Sequence, residues 1–304
     1  MQRTSEFENP GVAPPALKTR TFGCMGTVIS LTMPFSAAHA GTLPRTNGTE
    51  HPIDAATAAV ERLFGGLDET FSLYRPESEA SSLARGEITL REASQQVRDR
   101  YAEAAGWRLL TLAAFTPERP DGVLDLSGIV KGYAIQQAGA TLRSLKLEDW
   151  CLNAGGDVLV GGAPVPGSRV PWQSGIVDPQ DRAALLSAFP LGGCSRFSAL
   201  ATSGSAERGD HIWSAGARRS EFRRSEFLQV SVAAADIVTA DVLATAIVAG
   251  GRPMLDRATG TWDVEVLAVR CDGGLLATPG FRAQVPAGPA ARGSTASATA
   301  PKGA

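Results

Sequence analysis

The chain is short of histidine, of aromatic residues and of clustered cysteine, and each shortage closes off a class of function. Its three histidines, His39, His51 and His211, are too few and too dispersed for a histidine metal cage. Cys24, Cys151, Cys194 and Cys271 form no C-x-x-C pair and no Cys/His cluster of zinc spacing, so they read as reduced core thiols. Aromatic residues make up only 6% of the chain, which argues against base-stacking platforms. A net charge of −2 and a pI near 6.0 give no general attraction to nucleic acid or to an anionic membrane surface. No run approaches the roughly eighteen consecutive apolar residues that span a bilayer, so no membrane insertion is expected. Residues 1–14 lack the basic-then-apolar pattern of a secretory signal, no lipobox leader is seen, and the expected location is cytoplasmic. Nucleophile-elbow, P-loop and H-E-x-x-H motifs are absent as well.

What remains is 304 residues, 43% of them hydrophobic, enough to bury a sizeable core. Residues 1–18 read as a loose arm, 19–284 as the folded domain, 34–52 as a flexible insertion rich in Ala, Gly, Pro, Thr and Asn, and 285–304 as a disordered tail. Within the domain, Thr19–Met33 reads as a first strand or hairpin. A helix opens on Asp54 as its cap and runs to about Phe71, with Ala56, Ala59, Val60, Leu63, Phe64 and Leu67 on one face. Residues 72–86 read as a turn, and a second helix is expected over about Arg91–Ala113, carrying Val97, Tyr101, Ala104, Ala105, Leu109 and Leu112.

At mid-chain, Val123–Leu126 reads as a short strand passing through Ser127 and Gly128 into a helix from about Ile129 to Leu145. The second half alternates short strands with glycine turns, at 150–153, 157–162, 172–179, 184–191, 197–204, 228–235, 263–269 and 275–278. A helix over about Thr239–Ala249 interrupts them. Helices early and hairpin-spaced strands later predict an α+β domain with an antiparallel-rich sheet, rather than a doubly wound parallel one.

Several segments carry candidate chemistry. The turn from Leu126 into the mid-chain helix gathers backbone N–H groups at a positive helix end, a corner that suits a phosphate, with Asp125 and Lys131 on either side. An ordinary strand-to-helix connection with a solvated lysine fits the same residues. Asp241 and Thr245 stand at i and i+4 on a helix, so a carboxylate and a hydroxyl share one face as half of a hard-cation site. Equally, Asp241 fits a first-turn carboxylate stabilised by the helix dipole, with Thr245 bonded back to its own turn. Asn153-Ala-Gly-Gly-Asp157 allows close approach of backbone or simply makes a tight turn. Thr202-Ser-Gly-Ser-Ala-Glu-Arg208 fits a phosphate cradle or a polar loop. Tyr74-Arg75-Pro76 could set a ring and a guanidinium beside a planar ligand, or only end a helix.

Taken in order, Met25-Gly-Thr27, Phe71-Ser-Leu-Tyr-Arg-Pro-Glu-Ser78, Asp125-Leu-Ser-Gly-Ile-Val-Lys-Gly-Tyr133, Asn153-Ala-Gly-Gly-Asp157, Thr202-Ser-Gly204, His211 and Ala240-Asp-Val-Leu-Ala-Thr245 resemble the FAD:protein FMN transferase family, the ApbE-like flavin transferases. The resemblance spans about residues 20–270. It implies one α+β domain that takes FAD as substrate with Mg²⁺ on the pyrophosphate. It implies transfer of FMN to a Thr or Ser hydroxyl of a target flavoprotein, with release of AMP. Carried over residue by residue, it implies FAD contacts at Met25, Tyr74, Ala114, Phe115, Thr116, Asp125, Lys131 and Trp213. Metal positions fall on Gly128, through its carbonyl, and on Asp241 and Thr245; Asp241, His211 and Asp157 are the candidate catalytic residues.

The chain also departs from the family pattern. Thr116 stands where Asp is common, the stretch between Phe115 and Asp125 is short, Trp213-Ser-Ala215 replaces Asp-Pro, and Ala244 holds a position that is acidic in some members. These differences bear on metal affinity and turnover more than on FAD binding. Two further readings stay open: an FAD-binding or delivery protein without chemistry, and an FAD pyrophosphatase giving FMN and AMP.

Overall fold

Two pairs of residues with positive φ fold the chain into the hairpins that frame one end of its sheet. Met25 (φ 51°) and Gly26 (φ 67°) join β1 (Ala16–Cys24) to β2 (Thr27–Phe35). Gly155 (φ 62°) and Gly156 (φ 94°) join β3 (Trp150–Ala154) to β4 (Asp157–Gly161). Two central residues on the left-handed side give the tight turn whose twist matches that of the flanking strands. The architecture comes from a computed structural model that describes residues 16–35, 52–204 and 225–284.

With β7 (Ala199–Gly204), β8 (Phe227–Ala234), β9 (Glu265–Arg270) and β10 (Leu275–Ala277), these strands form one sheet in the order β1-β2-β3-β4-β7-β8-β9-β10, every neighbour antiparallel. A separate hairpin consists of β5 (Trp172–Val177) and β6 (Leu185–Leu191). The helices are α1 (Pro52–Phe71), α2 (Glu79–Ala84), α3 (Gln95–Leu110), α4 (Ser127–Ser144), α5 (Ile237–Thr261) and α6 (Pro279–Arg282). The result is a single α+β domain built on an antiparallel sheet, as the strand spacing predicts.

Side-chain alternation divides each central strand between two cores. Leu159, Ala199, Ala201, Val230 and Val232 face the larger core, with Ile129, Ala134 and Ile135 of α4 and Leu243 and Ile247 of α5. Val158, Val160, Leu200 and Leu267 face a smaller core closed by Trp172, Phe189 and Phe281. A sheet covered on both faces explains why β4 and β8 are apolar almost throughout rather than alternating. Helix α5 is long and apolar enough, by length and composition, to cross a membrane; here 61% of that apolar window is buried against the sheet and α4.

Several boundaries differ from the sequence reading. Strand β1 begins at Ala16, inside the segment read as a loose arm, and β2 and α1 reach into both ends of 34–52. The remainder of the arm, the insertion and the tail lie outside the described residues. Asp54 does not cap α1: the helix starts at Pro52, and Asp54, in its first turn, pairs with Arg20 of β1 at 2.5 Å. The turn after α1 contains α2, capped by Ser78, whose Oγ accepts the Ser81 N–H. Helix α3 is shorter than expected, because Ser94 caps it and the chain leaves it through Leu112 (φ 54°) and Ala113 (φ 64°). Leu109 and Leu112, expected in the core, are 77% and 72% exposed.

Val123–Leu126 is not a strand of the sheet. The loop from Pro117 closes on itself, with Asp125 N–H donating to the Pro117 carbonyl and Arg119 N–H to that of Val123. Helix α5 extends beyond Ala249, and its residues adopt a break at Gly251 (φ 63°, ψ −152°), just ahead of Pro253, whose missing N–H favours an interruption there.

Candidate functional site

One end of the sheet collects most of the residues singled out above. The Met25-Gly26 and Gly155-Gly156 tips lie there side by side, since Ile29 pairs with Ala154 and a Cβ on Gly155 would stand 2.4 Å from Thr27 Oγ1. No side chain fits between those tips, so glycine is required at 155 by space as well as by φ. Asn153 braces the second tip by accepting the Gly156 N–H at 2.9 Å. Cys24 is beside them, its thiol pushed up first by burial and then by the Asp68 carboxylate near the end of α1. Arg75 is drawn back onto Asp68 at 2.6 Å, whereas the Tyr74 ring is 91% exposed. Of the Tyr74-Arg75 pair, the ring is therefore the part presented outward.

Helix α4 starts at this end with Leu126 as its cap residue. The expected cradle of open N–H groups is largely taken up by the chain itself. Asp125 Oδ1 accepts the Ser127 N–H at 2.9 Å, and the Leu126 carbonyl accepts those of Ile129 and Val130. Phe115 packs over the first turn, where a Cβ on Gly128 would be 3.0 Å from its ring. Thr116 is buried, and its hydroxyl donates to Glu118 at 3.0 Å.

The glycines of α4 reveal how it crosses α5. A Cβ on Gly132 would meet Asp241 Oδ2 at 3.2 Å and Val238 Cα at 3.3 Å. One turn back on α4, Gly128 touches Phe115, and the adjacent Ala114 touches Gly250, further along α5. Moving backward on α4 thus moves forward on α5, so the two helices are antiparallel. Gly128 and Gly132 share one face of α4, and Asp241 and Thr245 share one face of α5. The seam between these helices carries Gly132 and the Asp241 carboxylate, with Thr245 one turn further along α5. Asp241 lies in the second turn of α5; the N-cap is Asp236, which accepts the Thr239 N–H at 2.8 Å.

Three charges meet at the seam. Lys131 Nζ is in direct contact with Asp157 Oδ2 and lies 3.5 Å from Asp241 Oδ1. Asp157 is fully buried and Asp241 is 3% exposed; they are the buried carboxylates among the described residues. Strand alternation puts Asp157 on the same face as Leu159, toward α4. Its other oxygen accepts the Thr202 N–H at 2.9 Å. Burying a carboxylate demands such partners, since an unpaired charge there would be strongly destabilising. Both oxygens of Asp157 are thereby engaged, which suits an anchor better than a proton acceptor.

On β7, Ser203 faces α5, and its Oγ lies 3.0 Å from Thr245 Oγ1. Thr202 faces the opposite side of the sheet, where its hydroxyl meets that of Ser231 at 2.8 Å. The two hydroxyls of this motif therefore serve different faces. Ser203 was not distinguished by the sequence reading, though its even spacing from the buried Ala199 and Ala201 marks it. Gly132 was missed too; its signal is the four-residue spacing from Gly128.

The Asp241 carboxylate and the Thr245 hydroxyl, one turn apart on α5, are oxygens of the kind a hard cation takes. Among the described residues no group of three or more His, Cys, Asp or Glu side chains could hold a metal. His211 and Trp213 lie outside the described residues.

The sequence model of the ApbE family matches residues 86–267, more than half of the chain. The fold is similar to that of the flavin transferase ApbE from Vibrio cholerae, with TM-score 0.69 and 20% identity, covering 90% of this chain and 100% of that one. It is similar to the ApbE protein of Thermotoga maritima, with TM-score 0.71 and 18% identity, covering 89% and 100%. The apo form of the flavinyl transferase ApbE of Pseudomonas stutzeri gives TM-score 0.68 and 17% identity, covering 91% and 100%. No curated protein sequence matches the chain. With the family model spanning the mid-chain turn, the Asp157 hairpin and the Asp241–Thr245 helix, the chain belongs to the ApbE family.

Proposed function

We propose that the protein is a Mg²⁺-dependent FAD:protein FMN transferase that moves FMN from FAD to a Thr or Ser hydroxyl of a target flavoprotein and releases AMP. The observation that carries this reading is the convergence of Lys131, Asp241 and Thr245 on one helix seam. Two of the similar solved structures are named flavin or flavinyl transferases, which supports the same reaction class.

In this reading Asp241, Thr245 and the Gly128 carbonyl hold Mg²⁺. A cation held there would supply charge neutralisation to the pyrophosphate. Lys131 adds a positive charge 3.5 Å from Asp241, placed to meet a phosphate oxygen. The exposed Tyr74 ring offers apolar surface to the flavin, while Phe115, buried and packed on Gly128, supports the first turn of α4 from behind. The Met25-Gly26 tip lets ligand approach the backbone closely. The acceptor oxygen forms a bond to the FMN phosphorus, the bridging P–O bond breaks, and AMP leaves with the hydroxyl proton released. His211 is the candidate acceptor of that proton.

The test combines purified protein, FAD, Mg²⁺ and a partner bearing an Asp-x-x-[Ser/Thr]-Gly-[Ala/Ser]-[Ser/Thr] motif. A covalently fluorescent partner band with stoichiometric AMP is the expected result, and no band with FAD intact would sink the proposal. AMP released equally fast without the partner would instead make the protein an FAD pyrophosphatase. Tight FAD binding that Asp241→Ala leaves unchanged, with no chemistry, would make it a carrier.

A further inference from the structure

A threonine inside a helix commonly spends its hydroxyl on the carbonyl four residues back. Thr57 and Thr70 of α1, Thr141 of α4 and Thr259 of α5 all do so, at 2.6–3.0 Å. Thr245 departs from this habit. Among the described residues its hydroxyl meets Ser203 Oγ on β7, 3.0 Å away, and no carbonyl of its own helix. It also stands at an opening in the packing: from Ala240 to Val248, Thr245 is the one residue of α5 that is not buried. Ser203 beside it is half-buried, turned toward α5 by the same alternation that buries Ala199 and Ala201.

We infer that Ser203 is a positioning residue: it accepts the Thr245 hydroxyl proton and so turns a Thr245 lone pair toward a divalent cation in that opening. The inference deepens the cation site of the proposed function, rests on it, and concerns the hydroxyl ligand alone. A hydroxyl that ligates a cation gives up a lone pair, so its proton must point elsewhere, to an acceptor. The Asp241 backbone carbonyl, four residues back, would take that proton only by holding the oxygen against its own helix. Ser203 takes it from β7 instead, which leaves another side of the oxygen to the cation. A partner that fixes the orientation of a metal ligand strengthens binding without touching the metal. Without the Ser203 hydroxyl, Thr245 falls back on the Asp241 carbonyl, as the other helical threonines do on theirs.

The readout is the affinity of the full chain for Mn²⁺ alone, followed by the electron paramagnetic resonance of free Mn²⁺, with circular dichroism to verify folding. Ser203→Ala is expected to bind Mn²⁺ about ten- to hundredfold more weakly than the unsubstituted protein, the range usual when a residue supporting a metal ligand is lost. Ser203→Thr keeps the hydroxyl on a strand that suits β-branched residues, and is expected to bind as the unsubstituted protein does. Thr245→Val removes the ligand itself and should weaken binding at least as much as S203A. In that background S203A should add nothing, because Ser203 acts through Thr245. A merely structural Ser203 weakens both backgrounds alike. Equal affinities for S203A and the unsubstituted protein, a loss in S203A/T245V beyond that of T245V, or an S203T as weak as S203A overturns the inference. Should S203A not fold, or T245V bind too weakly to measure, S203T decides: binding below that of the unsubstituted protein overturns it. If the unsubstituted protein takes up no Mn²⁺, or T245V binds it equally well, the cation site of the proposed function has failed. If both behave as expected and only the Ser203 variants disobey, that site stands and the role of Ser203 falls.

Discussion

The two faces of the sheet are both buried, yet they are built from different materials. On the hairpin side, Phe189 packs on Phe281 with ring centroids 4.4 Å apart and on Phe197 at 5.9 Å, and the buried polar groups are serine hydroxyls such as Ser174, Ser187 and Ser231. On the helix side, small residues dominate the crossing of α4 and α5, and both buried carboxylates face that way. Large rings fill space and leave nothing to react. Glycine and alanine let two helix backbones approach closely enough for Lys131 to reach carboxylates on β4 and α5 at once. The same sheet thus separates a smaller, uncharged core filled by aromatic rings from the larger core that also holds the buried charges.

Substitutions on the two faces are expected to separate stability from activity. The largest effect on stability is expected for Phe281→Ala, where loss of a fully buried ring removes about 3–5 kcal/mol in a denaturant titration. The FAD affinity of the molecules that remain folded should not change, and a parallel loss of affinity would erase the distinction. Asp241→Asn should do the reverse: Mg²⁺-dependent FMN transfer falls by about a hundredfold or more, with thermal unfolding little altered. Unfolding of that variant would mean that the carboxylate is structural.

Gly132→Ala probes the boundary between the faces. Its new methyl lies 3.2 Å from Asp241 Oδ2, tight enough that the helices must separate by a few tenths of an ångström. Helix propensity gains about 1 kcal/mol and overpacking takes back about 1–3, so the net change runs from none to a loss of about 2 kcal/mol. Turnover should fall about tenfold because the carboxylate is displaced, which steady-state kinetics will read.

The smallest effect concerns Cys151, whose thiol burial pushes up from 9.0 to about 12. Below pH 9 the thiol keeps its proton in both states and stability is constant. Between pH 9 and about 12 the unfolded thiol ionises while the native one does not, so stability falls as pH rises. At pH 8, iodoacetamide should modify the exposed Cys194 and spare Cys151, as peptide mass mapping will show.

Local chemistry made much of this architecture legible. Paired glycines between alternating strands announce the Gly155-Gly156 turn, and the apolar stripe of α1 is visible as spacing alone. Short apolar runs are where sequence reading fails. Val123–Leu126 has the composition of a strand, but its hydrogen bonds return to Pro117, and nothing in four residues distinguishes the two. The length of α5 was hidden by Gly250, Gly251 and Pro253, which interrupt a helix without ending its packing. The site was visible as separate fragments. That Lys131 pairs with Asp157 across a helix and a strand, and that Ser203 meets Thr245, follows only from the way the sheet stacks against α4 and α5.

The strand order carries a consequence for how the chain assembles. Most neighbours in the sheet are close in sequence, but β2 and β3 are joined only after the whole block of α1 to α4 has been laid down, more than a hundred residues apart. Closing so long a loop is entropically unfavourable until the block itself is compact. The first hairpin is therefore expected to zip onto the sheet late. In pulsed hydrogen exchange during refolding, amides of β1 and β2 should gain protection after those of β7, β8 and β9, and the Met25-Gly26 tip would complete its end of the site as one of the final events of folding.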